Sequence, residues 1–93
     1  MRVEFNVTKR ASVDWGDINI DVEVEAVFYD RDKEIGKKFY SYHEKVYGDD
    51  IERNPTTIDD AIGRCEEKIE EFKERAMKIL GALEKLVTHG FEF

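Results

Sequence analysis

The chain has 93 residues, of which 40% are charged and 41% are hydrophobic. With one Trp, four Tyr and six Phe it is too apolar and too aromatic for a disordered chain, and its length predicts a single domain (residues 1–93) that buries about 60–65% of its unfolded surface. Its 22 acidic and 15 basic residues give a net charge of −7, which argues against a non-specific binder of nucleic acid or of anionic membranes. The expected partner is a protein with a basic surface.

The single cysteine, Cys65, cannot form an internal disulfide, which suits a reducing compartment. The N-terminus reaches charged residues within a few positions and lacks the apolar core of a signal peptide. No segment approaches the roughly 18 apolar residues of a membrane span. The sequence therefore predicts a cytoplasmic protein that does not contact a membrane.

Two alternating segments at the start of the chain predict a β-hairpin. Apolar residues occupy odd positions in the first segment (about residues 2–14) and even positions in the second (about 18–29), with Lys9 as the only charged intruder. If Trp15 and Gly16 form a tight turn, position i pairs with position 31 − i, so that Val13 faces Ile18. In that register all the apolar residues share one face of the sheet.

A third strand is predicted over about residues 35–47, where aromatic residues are frequent. Its alternation is less regular, because the register that suits the second strand places Glu44 inward and Phe39 outward. A bulge near Gly36 would shift part of this register. The residues that this register turns inward are Tyr40, Tyr42 and Val46.

A polar linker (residues 48–55) is followed by one long predicted helix (about residues 57–88). Pro55 before Thr56 and Thr57 is a helix-start signal, either threonine or Asn54 is a candidate N-cap, and Gly90 suits the C′ position. The whole chain thus predicts an α+β fold of two layers, a three-stranded antiparallel β-meander packed against one C-terminal helix (βββα). Apolar residues form a seam with alternating steps of four and three along this helix: Ile58, Ile62, Cys65, Ile69, Phe72, Ala76, Ile79, Leu83 and Leu86.

This seam allows two interpretations. It packs on the sheet, or its N-terminal part pairs with the helix of a second chain, as in a coiled coil. The C-terminal half is expected to be the more buried, because its apolar stripe is wider. A helix of this length extends about 48 Å, more than a small sheet needs. The candidate dimer seam consists of Ile58, Ile62, Cys65, Ile69 and Phe72.

The outer face of the predicted sheet carries an acidic strip, which we define as Asp21, Glu23 and Glu25. The hairpin register places Arg10 opposite Asp21 on one side, and His43 lies near Asp21 on the other. The strip is interpreted either as an ordinary solvated strand face, as a docking surface for a basic partner, or as a metal or acid–base site. Same-face residues on a strand stand nearly 7 Å apart, too far for one compact metal site, so no metal is expected.

At the far end of the same face an outer apolar cluster is predicted, which fits a protein contact surface. The alternative is that the register of the third strand is displaced by one, so that Phe39 points into the core. The predicted members of this cluster are Val27, Tyr29, Ile35 and Phe39.

No catalytic motif is present. The serines lie in no nucleophile elbow and the glycines form no phosphate loop, so neither an enzyme nor a cofactor is expected. The leading hypothesis is a non-enzymatic interaction module, in its sharper form an inhibitor that occupies a basic, nucleic-acid-binding groove of its target. Phage anti-restriction and anti-CRISPR proteins that act in this way are similar to this chain in size and charge only. The alternatives are a helix-mediated homodimer and a small-ligand binder or enzyme centred on His43 and Asp21.

Overall fold

The computed structural model describes all 93 residues and confirms the βββα fold in two layers. Its sheet is antiparallel with strand β2 in the centre, and one long helix covers one face. None of the helices combines the length and apolarity needed to cross a membrane. In chain order the elements are β1 (Arg2–Asp14), β2 (Asp17–Asp30), β3 (Lys33–Val46), α1 (Gly48–Arg53) and α2 (Thr57–Thr88).

The register of the β1–β2 hairpin is the predicted one, with Val13 paired to Ile18 and Val3 paired to Phe28. Its two-residue turn is formed by Trp15 (φ 53°) and Gly16 (φ 81°). Two positive φ values in succession are the type I′ geometry, whose twist matches that of the flanking strands. The turn therefore holds the two strands in a register that places their alternating apolar positions on one face, whereas Val27 lies on the other.

A bulge between β2 and β3 is also confirmed, and it turns Ile35 towards the helix. Gly36 pairs with Phe28, whereas Glu34 pairs with Tyr29, so that Ile35 is the extra residue. Ile35 packs against the core instead of facing outward. The prediction of an outward Ile35 is therefore wrong, because one inserted residue reverses the face to which a strand residue points.

The core lies between the inner face of the sheet and one side of α2. Tyr40 stacks on Phe72 with ring centroids 5.2 Å apart and an angle of 15° between the planes. Tyr40 and Val46 are buried as the predicted β3 register requires, and Phe39 remains outward. The ten residues of the core are Val22, Val24, Ala26, Phe28, Tyr40, Cys65, Ile69, Phe72, Ala76 and Leu80.

The buried side of α2 differs from the predicted seam at both ends. Towards the N-terminus Ala61 is buried, whereas Ile62 is 47% exposed. A strict 3.5-residue repeat drifts by about 20° per heptad around a straight helix, so the seam rotates away from the sheet. Towards the C-terminus no residue after Leu80 is buried, and Met77 is 50% exposed. The expectation of a more buried C-terminal half is thus wrong.

The length of α2 matches the sheet. Strands of 14 residues, such as β2 and β3, extend about 46 Å at 3.3 Å per residue. The helix of 32 residues extends about 48 Å in the same way. Its length is thus explained by the sheet beneath it and gives no reason by itself to expect a partner.

The two ends of α2 differ, because only the C-terminal end has a well-defined capping motif. Gly90 adopts φ 89° at the C′ position, as predicted. The N–H of Phe91 donates to the carbonyl oxygen of Leu86 at 3.0 Å, which completes a Schellman-type end. At the start of the helix Thr56 is the N-cap residue, without a side-chain capping hydrogen bond.

The segment predicted as a polar linker contains the short helix α1, which packs at the hairpin tip. The N–H of Gly48 donates to the Asp17 carboxylate at 2.9 Å. A Cβ atom at Gly48 would collide with the carbonyl oxygen of Gly16. Glycine is required here because the backbones of the turn and of α1 approach each other closely.

The Gly48→Ala substitution is expected to lower the free energy of unfolding by about 1–3 kcal/mol, because two backbone segments must separate to admit the methyl group. The matched control is Gly63→Ala in α2, where the added methyl group meets no atom within 4 Å. That variant is expected to gain about 0.5–1 kcal/mol from higher helix propensity. Urea unfolding followed by circular dichroism measures both, and equal effects of the two substitutions would contradict the close approach.

Candidate protein-binding face of the sheet

The acidic strip lies along the central strand on the face of the sheet opposite the helix. Asp21 and Glu23 are exposed and Glu25 is half-buried. Their nearest neighbours across the sheet are Arg10 and His43 for Asp21, Thr8 and Ser41 for Glu23, and Asn6 and Phe39 for Glu25. The predicted placement of the three carboxylates on one face is therefore observed.

The three carboxylates differ in how far their charge is compensated. His43 Nδ1 and a carboxylate oxygen of Asp21 lie 2.8 Å apart, within hydrogen-bond distance, and both side chains are more than half exposed. Glu25 accepts a hydrogen bond from the Asn6 amide at 3.0 Å. Neither Glu23 nor Glu25 forms an ion pair. The middle of the strip thus presents uncompensated negative charge between neutral polar neighbours.

The outer apolar cluster is not formed as predicted. Only Phe39 is well exposed (64%), whereas Val27 is 4% exposed. Val27 lies between Glu4 and Lys37 on the neighbouring strands, whose long side chains cover apolar surface beside them. Tyr29 is half-buried with the Arg2 guanidinium 4.3 Å above its ring. With Ile35 turned inward by the bulge, one exposed aromatic remains beside the acidic strip.

The candidate dimer seam is divided by the fold. Its last three members, Cys65, Ile69 and Phe72, are buried against the sheet of the same chain. Ile58 is half-buried and Ile62 is exposed, and both line an open apolar groove between α2 and the hairpin. The coiled-coil arrangement of all five residues is therefore wrong, because the core already uses three of them.

A polar network at the edge of the core, formed by Glu44, Arg64 and Tyr42, was not predicted from the sequence. The side chain of Glu44 is 13% exposed and accepts hydrogen bonds from Arg64 Nε at 2.7 Å and from the Tyr42 hydroxyl at 3.0 Å. Arg64 lies on α2, so the network joins the helix to β3. The signal in the sequence was the inward position of Glu44, since a charged group facing a core requires a partner of opposite charge.

This network shifts the pKa values of its members. The hydrogen bond from Arg64 holds the pKa of Glu44 below its usual 4.5, against the opposing effect of burial. The hydrogen bond to the Glu44 carboxylate raises the pKa of Tyr42, and the same carboxylate raises that of Arg64. Burial raises the pKa of the Cys65 thiol, which makes it a poor nucleophile.

Outside this network, the titratable side chains form no metal site and one notable pair, His43 with Asp21. No group of three or more His, Cys, Asp or Glu side chains is placed to hold a metal ion. The His43–Asp21 pair lines a polar depression of about 390 Å³ together with Thr8, Arg10 and Ser41. This depression lies on the acidic strip, so the polar pair and the candidate binding face are one region.

Comparisons of the chain with protein-family models, with curated proteins and with solved structures find no match. The function is therefore inferred from the geometry and charge of this face.

The Glu44→Gln substitution is expected to make folding stability less dependent on acid pH. Because the folded-state pKa of Glu44 lies below 4.5, its carboxylate stabilises the fold fully above that pH. The contribution is lost as the pH falls through the folded-state pKa. Urea midpoints measured from about pH 6 to about pH 3 are expected to fall more steeply for the original chain than for the variant.

The matched control for this experiment is Glu67→Gln, which neutralises an exposed carboxylate of α2 that forms no ion pair. It is expected to keep the steep pH dependence. If Glu44→Gln and the original chain lose stability in parallel on acidification, the Arg64–Glu44 contact does not contribute as described.

Proposed function

We propose that this chain is a small non-enzymatic interaction module that binds a basic surface of a partner protein through the acidic strip and Phe39. The observation that carries the proposal is the column of three carboxylates on the open face of the sheet, with an exposed aromatic ring directly across from Glu25. An aromatic anchor beside charged groups is a common composition of protein interfaces. The net charge of −7 favours the same class of partner.

The negative charge of the acidic strip is suited to attracting a basic partner and to discriminating against acidic proteins. Glu23 and Glu25 are free of ion pairs, so a Lys or Arg of a partner need not displace an internal cation to reach them. The same charges repel phosphates, and direct binding to nucleic acid or to an anionic membrane is not part of the proposal. Complementary charge raises the association rate and rejects acidic competitors.

The sharper form of the proposal is an inhibitor that occupies a nucleic-acid-binding groove, in the manner of anti-restriction or anti-CRISPR proteins. Carboxylates at successive same-face positions stand about 7 Å apart and present a regular row of negative charge. Arg10 and Lys45 lie on the same face of the neighbouring strands. These cations confine the strongly acidic surface to the strip, which favours a narrow basic groove over a broad basic patch.

A second candidate is a small-ligand binder or enzyme centred on His43 and Asp21, and its supporting observation is their 2.8 Å contact in the polar depression. The pair is open to water on the flat face of a sheet. Catalytic pairs gain much of their effect from enclosure at low dielectric, which this face does not provide. The geometry therefore supports the interaction module better.

We place this activity in the cytosol. The support is the one free cysteine, whose buried thiol has a raised pKa and takes part in the core instead of in a disulfide.

Neutralising the strip with Asp21→Asn, Glu23→Gln and Glu25→Gln together is expected to weaken capture of a partner from cytosolic extract by at least about tenfold. The tagged chain serves as bait, and bound proteins are quantified by mass spectrometry at low and high salt. The dissociation constant of the leading captured protein is then measured with purified components. Binding through the strip is expected to weaken as salt rises, because exposed charges are screened.

The matched control carries Glu67→Gln, Glu74→Gln and Glu84→Gln, which remove the same charge from exposed positions of α2. It is expected to bind like the original chain. Equal losses in both triple variants would show that only net charge matters, and salt-insensitive binding of both would contradict the proposed surface.

A further inference from the structure

Strand β1 forms an edge of the sheet that lacks most of the usual protection. It has 13 residues, pairs only with β2, and contains no proline, glycine or bulge. Natural sheets shield their edges with very short strands, prolines, bulges or charged residues, because a free edge accepts a further strand. β1 is much longer than the usual strand of about 5–6 residues. Its free edge is therefore a candidate contact surface for a strand of another molecule.

Alternate residues of β1 have backbone polar groups without a partner in the chain. Asp14 and Asp17 flank the two-residue turn and form a hydrogen-bonded pair, so the even residues of β1 bond to β2. The odd residues point their N–H and C=O groups away from β2, and no turn or side-chain hydrogen bond uses these groups. A further antiparallel strand satisfies them. The odd residues are Val3, Phe5, Val7, Lys9, Ala11 and Val13.

The other edge of the sheet, β3, is less suited to pairing with its own copy. It contains the bulge at Ile35, and bulges and lysines are devices that protect edges. Between the bulge and the end of the strand, the outer face carries Lys37 and Lys45 and no carboxylate. A second copy offers these lysines no opposite charge on that face. The outer face of β1, in contrast, carries charges of both signs.

The charges on the outer face of β1 match those of an antiparallel copy. A two-fold axis perpendicular to the sheet keeps the faces of both copies aligned, so that odd residues pair with odd and even with even. With the axis at Val7, position i pairs with position 14 − i of the other copy, and Glu4 lies opposite Arg10 twice. Arg10 is exposed and forms no ion pair within its own chain. Opposite charges directly across two strands stabilise their pairing.

The neighbouring registers bring like charges together. An axis at Asn6 places Arg2 opposite Arg10, and an axis at Lys9 places that lysine opposite its own copy. An axis at Thr8 places the two Lys9 side chains at diagonal positions, about 7–8 Å apart. Like charges at such positions are destabilising, so the register centred on Val7 is favoured.

We infer that β1 pairs antiparallel with β1 of a second copy about a two-fold axis at Val7, which joins two sheets into one of six strands. The odd residues from Val3 to Ala11 then form five hydrogen-bonded pairs, which exchange about ten hydrogen bonds. A typical protein interface has a similar number. On the outer face, Glu4 of each copy meets Arg10 of the other in a non-hydrogen-bonded pair, in which side chains approach most closely.

The one inward-pointing charge of β1, Lys9, is compatible with this pairing. Such a charge ordinarily discourages the addition of a strand, because it becomes buried. α2 covers β2 and β3, however, and no residue of β1 is buried. The helix of the second copy likewise covers its own β2 and β3, beyond the added strand. Lys9 therefore keeps its ammonium group in water when the two copies pair.

This inference does not rest on the proposed function, because the contact uses the edge of the sheet and leaves the acidic strip open. Both strips lie on the same face of the six-stranded sheet. The two β2 strands are three strand spacings apart, about 14 Å. The substitutions that test the dimer lie outside the strip, so failure of the dimer and failure of partner binding are separate results.

Exchanging the charges of the Glu4–Arg10 pair tests the register. Sedimentation equilibrium of the full chain is expected to give a mass that rises from 10.9 kDa towards twice that value with concentration. Glu4→Arg and Arg10→Glu are each expected to weaken association by at least about tenfold, because each places like charges opposite each other twice. The double variant is expected to restore association. An effect of net charge alone differs, because Glu4→Arg reduces the net charge of −7 and so strengthens association.

The Val7→Pro substitution tests the backbone pairing. The N–H of Val7 points away from β2, so proline is tolerated in the hairpin but removes the hydrogen bonds at the axis of the dimer. Association is expected to weaken by at least about tenfold. The matched control is Ser41→Pro in the middle of β3, where the N–H also points away from the sheet. It is expected to associate like the original chain, and thermal unfolding followed by circular dichroism shows whether both variants fold.

Three results would overturn the inference. The first is a mass of one chain from low micromolar to millimolar concentration. The second is a dimer that Val7→Pro and Ser41→Pro weaken equally. The third is a dimer in which the double exchange at Glu4 and Arg10 does not restore the association that each single exchange removes. The charge exchange leaves the backbone unchanged, so it decides the matter even where a proline variant fails to fold.

Discussion

The structure depends on one constraint: a single helix has to cover the inner face of a three-stranded sheet. A helix with its side chains is about 10–12 Å across, whereas three strands occupy about 14 Å at 4.8 Å each. The core lies over β2 and β3, and no residue of β1 is buried. The uncovered margin leaves the apolar groove open on the inner face, and because no helix packs on the outer face, the acidic strip there stays exposed.

A feature of this fold is predictable from the sequence where the local alternation of apolar and polar residues alone determines which way each residue faces. The β1–β2 register was predictable because two alternating patterns and a two-residue turn agree on it, and the bounds of α2 coincide with the predicted ones. Ile35 was misplaced because a bulge adds one residue without changing composition. Ile62 was misplaced because the rotation of a helix on a sheet follows its real period over several turns.

The candidate site shows the same division. Strand parity was sufficient to place Asp21, Glu23 and Glu25 on one face. The odd or even position of a residue in a strand does not show whether long side chains on the neighbouring strands cover it. For that reason Val27 was predicted to be exposed, whereas it is buried. The partner of Glu44 was equally beyond local pattern, because Arg64 reaches it only once the helix is docked at one particular rotation. Facing direction is a local property, whereas exposure and pairing belong to the tertiary structure.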